Sequence, residues 1–94
     1  MIEDAFEWDD AKATENYVKH GVDFEMARQI FQDPFAIQLF DDRDNYGEDR
    51  FVLIGMAGNV VLTVAYTERI GRLRLISARR ATKREQDDYF AQNS

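Results

Sequence analysis

The sequence has no cysteine, one proline, one tryptophan and one histidine among its 94 residues. Without cysteine, disulfides, thiolate zinc sites, cysteine-ligated iron–sulfur clusters and cysteine nucleophiles are excluded. A single imidazole is too few for a conventional all-protein zinc site, although carboxylates remain able to hold magnesium. No apolar run approaches the roughly 18–20 residues of a membrane span, so no membrane partner is expected. The opening Met1-Ile2-Glu3-Asp4-Ala5 does not read as a signal peptide, and a cytoplasmic protein is expected. A phosphate-binding glycine loop, a dinucleotide fingerprint and a serine nucleophile elbow are also missing.

What is present suits one small domain spanning residues 1–94. The chain is 45% hydrophobic and 13% aromatic, enough for one core and too much for a disordered polymer. No linker, repeat or low-complexity tract divides it. The net charge is −6, but it is unevenly spread. Residues 1–49 carry 14 acids and 4 bases, whereas residues 50–94 carry 4 acids and 8 bases. Residues 69–84 hold seven bases and no acid. Local potential rather than total charge decides where a polyanion docks, so the acidic balance weakens a nucleic-acid reading without removing it.

Residues 5–8 read as a short strand with Phe6 and Trp8 on one side. Asp9 or Asp10 offers an N-cap, a helix runs to His20, and Gly21 stops it. Asp23 caps a second helix, Phe24 to Phe31, whose Phe24, Ala27, Ile30 and Phe31 form one apolar stripe. Asp33-Pro34 ends that element. The period then changes. A strand is expected over Phe35–Phe40, followed by a solvated acidic loop over Asp41–Asp49 that lacks the spacing of a calcium hand. Three further strands follow: Phe51–Met56, Val60–Thr67 and Arg72–Arg79, joined by turns at Ala57-Gly58-Asn59 and Ile70-Gly71. Thr82 and Glu85 form a capping-box pattern that starts a last helix through about Phe90. The expected fold is α+β: an antiparallel meander of three to four strands packed against two N-terminal helices, with a short C-terminal helix.

The chemistry concentrates in the last strand. On an ideal strand Arg72, Arg74, Ile76, Ala78 and Arg80 share one side, and Leu73, Leu75, Ser77 and Arg79 the other. The leucines mark the core side, which puts Arg79 there too, reaching over the rim. Arg79-Arg80 before a helix start combines two guanidiniums with unpaired N–H groups, a credible phosphate site. The competing reading is a set of arginines on an exposed edge. Hairpin geometry places Arg50 near Thr67 and Glu68, with Arg72 at the same end and Arg79 and Arg80 toward the other. His20, the only imidazole, is the natural candidate for acid or base work, or a helix-terminal histidine bonded to carbonyls. Tyr66, at a strand end, either packs in the core or stacks on a base.

Several segments together resemble the BrnT toxin family. They are Phe6-Glu7-Trp8-Asp9 with Lys12 and Asn16, then Lys19-His20-Gly21-Val22-Asp23-Phe24-Glu25-Met26-Ala27. Phe31, Asp33-Pro34, Glu48-Asp49-Arg50 and Gly55 follow, and the closing run Ile76-Ser77-Ala78-Arg79-Arg80-Ala81-Thr82-Lys83-Arg84-Glu85 with Tyr89 completes the match. The resemblance implies a RelE-like fold and a ribonuclease toxin of a type II toxin–antitoxin pair. It also implies an RNA substrate, neutralisation by a BrnA-type antitoxin, DNA contact only through that antitoxin, and no cofactor. The positions it marks are Arg79, Arg80, Arg50 and Arg72, with Glu68 as the nearby carboxylate and His20 from the first motif. Arg69, Arg74, Tyr66 and Lys83 are the further RNA contacts expected beside them. The alternative is a toxin-like module that binds a DNA-binding antitoxin and modulates transcription without cleaving RNA.

Overall fold

A computed structural model describes residues 6–41 and 50–92; the acidic segment 42–49 lies outside the described residues. Local sequence signals account for the first half. The Asp9 carboxylate accepts from the Ala11 and Lys12 N–H groups and starts α1 (Asp10–His20), which ends on Gly21 at φ 71°. The Asp23 carboxylate accepts from the Met26 N–H and starts α2 (Phe24–Ala27), continued by a tighter 3-10 turn over Arg28–Gln32. The expected single helix Phe24–Phe31 is therefore two short helical pieces. Asp33 leaves the helical region at ψ 114°, as the residue before a proline must.

The strands are β1 (Phe6–Glu7), β2 (Ile37–Asp41), β3 (Arg50–Ala57), β4 (Val60–Arg69) and β5 (Arg72–Arg80), and α3 (Lys83–Gln92) closes the chain. They form one sheet in the order β1-β5-β4-β3-β2. The β2-to-β5 meander is antiparallel as expected, and β1 adds a fifth strand, parallel to β5 through Phe6 opposite Leu73.

Each side of the sheet has its own core. On one side α1, α2 and the 3-10 turn cover Leu53, Leu62, Val64, Tyr66, Leu75 and Ala78. On the other, α3 covers Ile54 and Val61 with Ala81 and Tyr89. Among the described residues the β5 edge beyond β1 has no strand neighbour, and Asn16 takes that place. Its side-chain amide donates to the Ala78 carbonyl (2.8 Å) and accepts from the Ala78 N–H (3.0 Å), while also donating to the Val22 carbonyl (2.9 Å). A buried side chain from α1 thus completes the ladder and protects the edge.

Asp33 ties α3 to the sheet. One carboxylate oxygen accepts from the Tyr89 hydroxyl (2.6 Å) and the Met56 N–H (2.8 Å), and the other from the Phe35 N–H (2.9 Å). Burial raises the Asp33 pKa, but those hydrogen bonds outweigh it and hold it below the usual carboxylate value. Burial, together with the Asp33 charge it faces, pushes the Tyr89 phenol up to about 12.

Candidate nucleic-acid interface

One irregularity decides where the arginines point. Ala65 of β4 stands opposite Ser77, but Tyr66 stands opposite Leu75, so Ile76 is an extra residue in β5. A bulge of this kind reverses the in–out alternation beyond it. Leu75 and Ala78, three residues apart, are accordingly both buried in the core under α1 and α2. Ser77 and Arg79 therefore lie on the α3 side, with Arg72 and Arg74. The expectation that Arg79 shares a side with the leucines is corrected by this bulge. Arg80, expected with Arg72 and Arg74, leaves β5 on the opposite side from Arg79.

The register extends this face. Arg50 stands opposite Thr67, Thr67 opposite Arg74, Arg69 opposite Arg72, and Thr63 opposite Arg79. Directly opposed residues share a face. Arg50, Arg69, Arg72, Arg74 and Arg79 thus occupy one surface, bordered at the Arg79 end by α3. The two ends of the cluster are separated along β4 by six residues, about 20 Å. The separation of Arg50 and Arg72 from Arg79 matches the hairpin argument from sequence.

Arg79 is held from α3. Its two terminal nitrogens donate to the two Glu85 oxygens at 2.8 and 2.9 Å, and one of them also approaches the Arg80 carbonyl at 3.3 Å. Glu85 also accepts from the Thr63 hydroxyl (2.9 Å) and the Thr82 N–H (2.9 Å), while the Glu85 N–H donates to the Thr82 hydroxyl (3.1 Å). The capping box read from sequence is therefore formed, and its carboxylate also grips an arginine of the sheet. The Arg79 hydrogen bonds, opposed by burial and helped by Thr82 and Thr63, bring the Glu85 carboxyl down to about 2. At the other end Glu7 of β1 pairs with Arg74 at 2.9 Å. The sequence signal for Glu85 was its capping position; Glu7 and Thr63 gave none, because only the register brings them to this face.

The other candidate positions lie elsewhere. Tyr66 is buried on the α2 side, stacked on Phe51 and edge-on to Phe31, with its hydroxyl accepting from the Gln38 amide (2.7 Å). Burial raises its pKa, and the Glu68 charge adds to that shift. Glu68 is exposed opposite Leu73, off the arginine face. His20 ends α1 and lines an open 220 Å³ pocket with Lys12, Lys19, Ile76 and Ser77, around the β5 edge from the arginines. Arg80 borders a separate pocket with Asn59, Val61, Gln86 and Phe90. Lys83, exposed on the first turn of α3, pairs with Asp87 at 2.8 Å. Among the described residues, no three acidic or imidazole side chains converge as metal ligands would.

A surface of five arginines on a small sheet, with paired guanidiniums at its edges, is chemistry for phosphate or carboxylate groups. The family model described as "Ribonuclease toxin, BrnT, of type II toxin-antitoxin system" matches residues 8–85, from Trp8 just after β1 to Glu85 in α3. No curated protein matches the chain.

Proposed function

The chain belongs to the BrnT family of ribonuclease toxins of type II toxin–antitoxin systems, and from that premise we propose that it cleaves RNA on the arginine face of its sheet without a metal ion. The observation that carries this reading is the alignment of Arg50, Arg69, Arg72, Arg74 and Arg79 on one surface. The substrate 2′-oxygen attacks the adjacent phosphorus, the bond to the 5′-oxygen breaks, and the ends are a 2′,3′-cyclic phosphate and a 5′-hydroxyl. The 2′-hydroxyl proton goes to a base, and a proton returns to the leaving oxygen. Guanidiniums orient the phosphodiester and stabilise the added negative charge of the transition state.

Arg79 contacts the reacting phosphate in this scheme, Arg50 and Arg72 hold the flanking backbone, and Arg80 approaches from the adjoining rim. Glu85 is not the base: a carboxyl at about 2 is too weak to draw a proton near neutrality. Glu68, the carboxylate expected as base, lies five residues along β4 from the Arg79 position and off the arginine face. That is too far to take a proton at that phosphate, so the acid–base role falls to His20, which lines the β5 edge beside Ser77. The antitoxin is a BrnA-type protein that covers this face, and DNA is met only through it.

A second reading is favoured by one observation. The Arg74 and Arg79 guanidiniums already hold carboxylates, Glu7 and Glu85, so the surface suits acidic antitoxin side chains whether or not it cleaves RNA. Fragment-end analysis separates the two. Antitoxin-free protein incubated with an end-labelled RNA in chelator should leave cyclic-phosphate ends. Intact RNA at high protein excess, ribosomes included, would support the non-catalytic module instead.

A further inference from the structure

The β4–β5 hairpin turns on two residues, because Arg69 stands directly opposite Arg72. Both turn residues have positive φ, Ile70 at 52° and Gly71 at 76°, as the tight connection that suits twisted strands requires. Glycine adopts this conformation freely; a β-branched residue does not, since its side chain crowds the neighbouring carbonyl. Ile70 is the one non-glycine residue with positive φ among the described residues. Its side chain gains nothing in return from packing, being 97% exposed. Arg69 and Arg72, both exposed, add like charges across the ladder, which opposes strand pairing.

Three unfavourable features thus coincide on one tip: a strained backbone, an exposed aliphatic side chain and a like-charge pair. Strain without local compensation points to a role outside folding. The tip continues the arginine face, since Arg69 and Arg72 share the side of Thr67, Arg74 and Arg50. It lies about 20 Å from Arg79, so it does not reach a phosphate that Arg79 holds. Two guanidiniums flanking an aliphatic wedge match a strand that alternates phosphates with flat apolar rings. The arginines take phosphate oxygens, and a wedge of this type enters between successive bases. An acidic peptide would satisfy the charges but gives the strained isoleucine nothing to enter.

We propose that the Arg69-Ile70-Gly71-Arg72 tip is a nucleotide-binding finger that grips the RNA away from the scissile step, with Ile70 packed between neighbouring bases. The proposal rests on the reading of RNA as the substrate. It has a signature that a structural role lacks: changes at the tip move stability and RNA affinity in opposite directions. Ile70→Asn places a residue tolerant of positive φ in the turn. It is expected to raise Tm while weakening binding of a uniformly 2′-O-methylated, uncleavable RNA oligonucleotide about tenfold. An Arg69→Ala/Arg72→Ala double variant should keep Tm at or above the parent value. It should also flatten the dependence of log affinity on log salt by about 1.4, two single-strand phosphate contacts. Unchanged affinity in both variants overturns the finger, and so does a joint fall of Tm and affinity. A variant that keeps RNA affinity but loses binding to a polyglutamate peptide overturns it in favour of a protein partner. Parent protein that cleaves RNA while the tip variants bind normally removes the finger alone. Parent protein that binds no oligonucleotide removes the RNA reading with it.

Discussion

Glu85 concentrates more of the site's order than any other side chain. It joins a helix cap, a buried threonine and the Arg79 guanidinium, so its charge stabilises both the start of α3 and the arginine face. Its folded pKa of about 2 lies well below the ordinary glutamate value. A depressed carboxylate contributes stability that is fully present above its unfolded pKa and is lost as pH falls through the folded one. That contribution should fade between about pH 5 and pH 2, and after solvent screening it is on the order of 2 kcal/mol. Thermal melts from pH 2 to 7 test this: Glu85→Gln should lower Tm by roughly 8–16 °C near pH 7 and by little near pH 2. Asn16 is the residue on which the β5 edge depends. Asn16→Ala removes three hydrogen bonds and leaves the Ala78 N–H and carbonyl without their side-chain partner. Urea unfolding should show a loss of about 3 kcal/mol.

Among the elements, the 3-10 turn and the segment after it pack tightly on β3 at Gly55. A Cβ added at Gly55 would meet the Ile30 Cβ at 3.0 Å and the Ala36 Cβ at 3.2 Å. Gly55→Ala should therefore destabilise by about 1–3 kcal/mol through overpacking, read from the shift of the urea midpoint. Helix α3 is held on the sheet by the Tyr89–Asp33 hydrogen bond, and Tyr89→Phe should speed amide exchange in α3 before it affects β4. The caps at Asp9, Asp23 and Thr82, the stop at Gly21 and the meander of β2 to β5 were all legible in the sequence, because each depends on neighbours in the chain. The parallel pairing of β1 was not, since a two-residue strand gives no periodicity and its partner Leu73 is 67 residues away. The bulge at Ile76 was equally silent. Arginine and leucine alternate without a break through Arg72, Leu73, Arg74 and Leu75, and nothing local signals the extra residue. The side that Arg79 takes, and with it the grip of Glu85, followed from that bulge and stayed out of reach of the sequence.

At the scale of the whole molecule, the charge asymmetry of the sequence becomes a division of surfaces. Residues 1–49 carry 14 acids against 4 bases, whereas the arginine face is built from β3, β4 and β5. With a net charge of −6, much of the remaining surface repels RNA, and the arginine face is where the local field turns attractive. Affinity for single-stranded RNA should therefore fall steeply with salt. Three to five phosphate contacts imply a slope of log affinity on log salt of about −2 to −3.5. A slope near zero would mean that the arginines do not meet phosphates. The most direct test of the central claim is the metal-free, single-turnover cleavage rate of an end-labelled RNA by the parent protein and by Arg79→Ala, both shown to be folded. Cyclic-phosphate ends are expected from the parent, and a rate at least about tenfold lower in the variant, the loss that follows when one charge-stabilising contact goes. Equal rates in the two folded proteins, or intact RNA with both, would contradict that claim.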